Sequence, residues 1–249
     1  MSLISPLVWP LALLQGLWLK YRVPKLPEAP PPHRGKSEGG DKVLQLLLIG
    51  ESTAAGVGAT THDEGLAGQL ALQLTKRYGF SVEWRVLGKN GAKLESLAPL
   101  LDEHRRSYDL VFVATGVNDA KGLTSPRRFL EAAEKLCRNL RKYSAAPICF
   151  LQMPNVGDFP VIPRPLSHLL SKRSHALEIA FLPWLSELKQ IYYLPSDFNM
   201  DMPELFAVDG FHPSKQGYAL WAEKAVVQLD DICQIISLNG YAKGKRLTH

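Results

Sequence analysis

The sequence predicts an α/β fold: a parallel five-stranded sheet with helices on both faces, giving a three-layer α/β/α sandwich. Three observations point there. Short apolar runs at 44–49, 81–87, 108–115, 148–152 and 190–194 have the length and near-continuous hydrophobicity of strands buried on both faces. The longer segments between them repeat apolar residues at three- and four-residue spacing, a helical period, and strands that alternate with helices pair in parallel. Polar clusters stand just past the first three runs and just before the last helix, at the sheet edge where open α/β folds gather their ligands.

Composition narrows the function classes. A chain of 249 residues with 46% hydrophobic residues suits one large domain, here residues 42–238. The net charge of +5 comes from scattered basic residues without an aromatic-basic motif, so no nucleic-acid partner is expected. Cys137, Cys149 and Cys233 lack CxxC or metal-ligand spacing and read as buried thiols. No metal or organic cofactor is expected.

Taken in order, the chain opens on Leu3 to Leu19, which carries no charged residue and is followed by Lys20, Arg22 and Lys25. A helix over that stretch would span about 25 Å, against a hydrocarbon core of roughly 30 Å. Residues 1–22 are therefore expected to anchor the protein at a membrane, spanning it or lying in its interface with Trp9, Trp18 and Tyr21 near the headgroups. The positive flank would put the domain on the cytoplasmic side. The alternative is a hydrophobic helix docked on its own domain. Prolines at 24, 27 and 30–32, then Gly35, Gly39 and Gly40, read as a linker without core over residues 23–41.

Within the domain, Leu66, Leu70 and Leu74 mark the first helix, and Leu94, Leu97, Leu100 and Leu101 the second. Pro126 opens a helix running to Tyr143, Leu166 to Leu182 forms another, and Pro213 to Ile236 closes the domain. The proline-rich stretch from Met153 to Pro165 cannot be regular; its Phe159, Val161 and Ile162 either line an acyl pocket or cover the core. His62, His104, His168 and His175 read as surface residues, and residues 239–249 as a basic tail.

The chemistry sits in the polar clusters. Ser52, after Gly50-Glu51, stands where a nucleophile would meet a ligand, although serine is also a preferred helix cap. Asp209-Gly-Phe-His212 places an acid three residues before an imidazole. Such a pair can hold one ring nitrogen while the other accepts a proton, or can simply form a helix-start turn. Gly116-Val-Asn118-Asp119 and the Gly91 of Lys89-Asn-Gly-Ala occupy two further strand ends.

In this order the four blocks resemble those of the SGNH, or GDSL-type, hydrolases, over roughly residues 42–229. The resemblance implies a flavodoxin-like sheet and a serine esterase in which Ser52 attacks, His212 is the base and Asp209 orients it. It also assigns the oxyanion donors to the backbone N–H groups of Ser52 and Gly91 and the side-chain amide of Asn118. One residue departs from the pattern: the family's Asp between Gly and Ser is Glu51 here, which bears on the hydrogen bonds of the nucleophile loop. Asp119 reads as a loop-structuring residue. The expected partner is a small-molecule or lipid ester, with a lysophospholipid favoured by the apolar leader; acetylesterase and thioesterase activity would use the same constellation. An inactive SGNH domain used for membrane or partner binding is the rival of a different class. A phosphate-binding turn at 50–58 lacks the Lys-Ser/Thr ending of a P-loop and the third glycine of a dinucleotide fingerprint.

Overall fold

A computed structural model describes residues 8–102, 106–196, 202–230 and 232. Its sheet contains β1 (Arg34–Ser37), β2 (Val43–Gly50), β3 (Ser81–Gly88), β4 (Leu110–Ala114), β5 (Ile148–Leu151) and β6 (Ile191–Leu194), in the spatial order β1-β3-β2-β4-β5-β6. Strands β2 to β6 are parallel, as the alternation predicts. In register, Gly50 lies beside Gly88 on one side and Ala114 on the other. Three strands thus end level, and the loops after them open on one edge.

Side chains of β2 alternate between two cores. Leu44, Leu46 and Leu48 face α2 (Leu66–Tyr78) and α6 (Lys215–Val227), whereas Leu47 and Ile49 face α4 (Pro126–Arg141) and α5 (Leu166–Ser186). All five are buried, and burial of each such side chain contributes about 1.5–3 kcal/mol. The sandwich is therefore held from both sides of its central strand. Cys137 and Cys149 are buried thiols outside any disulfide; Cys233, His104 and residues 239–249 lie outside the described residues.

The sheet has a sixth strand because part of the expected linker belongs to the domain. β1 pairs antiparallel with β3, and the Ala29 N–H donates to the Ala55 carbonyl at 3.0 Å. Proline and glycine mark a segment poor in core side chains, but they do not forbid backbone pairing at a sheet edge. Gly35 lies flat on the Trp84 ring, where a Cβ would collide. His33 Nδ1 and His62 Nε2 are 2.8 Å apart, which makes His62 a buried residue, 4% exposed, rather than the expected surface one. His168 and His175 are exposed, as expected.

Two other elements differ from expectation. The helix expected at 94–101 is a pair of 3-10 turns, Leu94–Ser96 and Ala98–Leu101, because Pro99 has no N–H to continue an α-helix. The leader forms α1 (Val8–Arg22), about 22 Å long, and among the described residues no helix is long and apolar enough to cross a membrane. α1 docks on the start of α5: Gln15 Nε2 donates to the Arg164 carbonyl and its Oε1 accepts from the Leu166 N–H at 3.0 Å.

Candidate active site

Gly50 ends β2 against the neighbouring strand so closely that a Cβ would collide with the Ala114 carbonyl oxygen. The next N–H, of Glu51, donates to that same oxygen at 3.0 Å, and Ser52 follows at once. Residues 51–64 form turns, and α2 is capped by Gly65; Ser52 therefore does not serve as the cap of that helix. It is nearly buried, 6% exposed.

The other end of the chain is brought to this loop by α6. Tyr218, fully buried, donates its hydroxyl to the Val57 carbonyl at 2.6 Å, so the start of α6 is fastened to the turn after Ser52. Asp209 and His212 lie just ahead of it. Asp209 Oδ2 meets His212 Nδ1 at 2.6 Å, while Oδ1 accepts the N–H groups of Phe211 and His212 at 3.0 Å each. Burial alone would raise the Asp209 pKa; the bonds from the His212 ring and the two N–H groups outweigh it and hold the carboxyl below its ordinary value. A carboxylate fixed in this way keeps Nδ1 protonated and leaves Nε2 to face the site. No hydrogen bond joins Ser52 Oγ to His212 among the described residues, but both line the same two cavities. Such bonds commonly tighten only around bound substrate.

Asn118 and Gly91 stand across from this pair. Asn118 lies on α3 (Val117–Lys121) and donates one amide hydrogen to the Ala92 carbonyl at 3.1 Å, leaving a second donor on the same nitrogen. Gly91 has φ +76°, with nothing within 4 Å of where a Cβ would be. That left-handed conformation favours glycine. Asp119 is buried and accepts the Leu94 N–H at 2.9 Å, which ties α3 to the segment after Gly91 and matches its expected structural part.

Glu51 turns out to be a clamp. It is 2% exposed, and its two oxygens accept the N–H groups of Val117 and Asn118 at 2.9 Å each. Burial pushes its carboxyl up to about 7, against the pull of those two bonds. The longer side chain that departs from the family pattern thus reaches from the Ser52 loop to the backbone carrying Asn118.

Two cavities flank Ser52. The smaller, about 40 Å³, is walled by Leu151, Met153, Phe159, Phe206 and Trp221. The larger, about 550 Å³, runs between Val161, Ile162 and Leu170 on one side and Gly16, Leu19 and Val23 of the leader on the other. Phe159 both fills the core and lines the small cavity, with its ring 4.6 Å from that of Phe211. The proline-rich loop therefore covers the core and also lines both cavities beside Ser52. Lys121 and the leader's contribution were not apparent from the motifs; Lys121 could have been found from its place three residues after Asn118, on the same helix face. Among the described residues no group of three or more His, Cys, Asp or Glu could hold a metal ion.

The model of the GDSL-like lipase/acylhydrolase family matches residues 48–220, which include Ser52, Gly91, Asn118, Asp209 and His212. The chain belongs to this family. As a GDSL-like acylhydrolase it is a carboxylic ester hydrolase. It is 26% identical over 229 residues to a GDSL-like esterase of Mycobacterium tuberculosis, an alignment covering 84% of this chain and 72% of the other. Its fold is shared with a lipase from a goat rumen metagenome, at 22% identity and TM-score 0.56, covering 73% of this chain and 95% of that one. It is also shared with a family 3 carbohydrate esterase of Clostridium thermocellum, at 14% identity and TM-score 0.58, covering 78% and 100%.

Proposed function

We propose that this GDSL-like hydrolase is a serine esterase that cleaves esters with an apolar acyl chain, lipid esters and lysophospholipids included, through an acyl-enzyme. The observation that carries the reading is the convergence of Ser52 and the Asp209-held imidazole of His212 on the same pair of cavities. Ser52 Oγ attacks the carbonyl carbon and its proton passes to His212 Nε2. The oxyanion is held by the N–H groups of Ser52 and Gly91 and by the Asn118 amide, each such donor being worth about 100- to 1000-fold in rate. Collapse expels the alcohol, which takes the proton from His212. Water then attacks the acyl-serine with His212 again as base, releasing the acid. A fluorophosphonate probe should label the full chain at one equivalent and fail to label Ser52→Ala; equal labelling of the two would place the nucleophile elsewhere.

The apolar walls support a preference for acyl chains over acetyl groups. The leader supports a location as well. α1 exposes Trp9, Leu13, Leu14, Leu17 and Trp18 on its outer face, and Lys20, Arg22 and Lys25 follow. This pattern suits a helix lying in the headgroup region of an anionic leaflet, on the cytoplasmic side. The full chain should co-sediment with phosphatidylcholine–phosphatidylserine vesicles, and a Leu13→Glu, Leu17→Glu variant should stay in the supernatant. Equal pelleting of both would remove α1 from this role.

A further inference from the structure

The larger cavity is apolar where Leu19, Val23, Val161, Ile162 and Leu170 line it, and it carries three ammonium groups. Lys20 and Lys25, both exposed, stand where the leader borders it, and Lys121 lines it beside Asn118. Lys121 is exposed, and its side chain borders the groove. Its Nζ rests 4.6 Å above the Phe211 ring, a cation–π placement that holds the charge beside His212. Burial lowers the Lys121 pKa, and the Glu51 and Asp209 carboxylates act in the opposite direction. Neither carboxylate pairs with it: among the described residues Lys121, Lys20 and Lys25 take part in no ion pair. The oxygens of Asp209 are engaged by His212 and Phe211, and those of Glu51 by the N–H groups of Val117 and Asn118. Asp209 is the one acidic residue that lines this cavity among the described residues. An uncharged head would make no use of the Lys121 ammonium, which stands beside His212 with no ion-pair partner among the described residues. A negatively charged head would pair with it.

Building on the esterase reading, we propose that the groove selects esters bearing an anionic group, a phosphate or a carboxylate, near the scissile bond, with Lys121 as the principal recognition residue and Lys20 and Lys25 at the rim. The acyl chain then lies along Val161, Ile162 and Leu19, and the charged alcohol portion lies toward α3.

Three substrates of equal chain length test this with the full chain: 1-octanoylglycerol, its 3-phosphate, and the 3-octanoyl ester of glyceric acid, each followed by octanoate release. For the native protein, kcat/KM for at least one charged ester should exceed that for the neutral one by about tenfold, the equivalent of one well-placed charge-assisted contact. The two charged arms tell phosphate from carboxylate recognition. In Lys121→Met that ratio should collapse toward one, chiefly through KM, and Lys121→Arg should restore part of it; thermal melts followed by circular dichroism report that the variants fold. A ratio near one in the native protein, or an unchanged ratio in Lys121→Met, overturns the charge assignment while leaving the esterase reading standing. Failure of the native protein to cleave any of the three overturns both.

Discussion

Replacing His212 with alanine should lower kcat on p-nitrophenyl butyrate by about 10⁴- to 10⁶-fold, the range seen when the base is removed from serine-hydrolase triads. No other described imidazole can take over. His62 is engaged with His33, and His168 and His175 are exposed on α5. Asp209→Asn should cost nearly as much. The amide can present an N–H to Nδ1, which selects the wrong tautomer even where the ring stays in place. Steady-state kinetics at saturating ester checks both variants, and a loss below tenfold in His212→Ala would assign proton transfer to another group.

The second large effect belongs to Glu51. Its folded pKa, about 7, lies above the ordinary 4.5, so between those values the folded protein keeps a proton that the unfolded chain has released. Stability from this group is therefore full below pH 4.5 and is lost as pH rises through 7. At 1.36 kcal/mol per pH unit the change amounts to about 3 kcal/mol. Glu51→Gln cannot titrate. Urea unfolding should then show the native chain losing about 3 kcal/mol relative to Glu51→Gln between pH 4.5 and pH 8; a difference constant with pH would mean the side chain stays ionised throughout. Above pH 7, where Glu51 is ionised, the amide offers one acceptor where the carboxylate offers two, so one of the N–H groups of Val117 and Asn118 loses its partner, at about 1–3 kcal/mol. Because that backbone carries Asn118, kcat should fall about tenfold to a hundredfold, as small displacements of a reacting group do.

What could be read from the sequence was local. The run from Leu44 to Ile49 announces a buried strand by composition, and the glycine after it announces a stop, so Ser52 falls at the sheet edge without reference to anything distant. The same logic places Gly91 and Asn118. The spacing of Asp209 and His212 allowed either a catalytic pair or a helix-start turn, and the family resemblance made the choice. The rest depended on partners far along the chain. β1 is held by backbone bonds to β3, which no side-chain periodicity records, and His62 is buried by a histidine 29 positions earlier. Hydrophobicity in the leader signalled that it must be covered, but the residues it meets, Arg164 and Leu166, are some 150 positions downstream. Glu51 was visible as a departure, yet its meaning appeared only once Val117 and Asn118 were seen to share it.

The leader's place in the wall of the groove separates two properties that a single-core enzyme would have to change together. Residues that border the larger cavity come partly from a stretch ahead of the family's matched region, whereas Ser52, Asp209 and His212 lie within it. Substitutions before position 27 reshape the wall of the cavity without touching Ser52, Asp209 or His212. Trimming the amino terminus to obtain a tractable enzyme would remove one wall of that cavity.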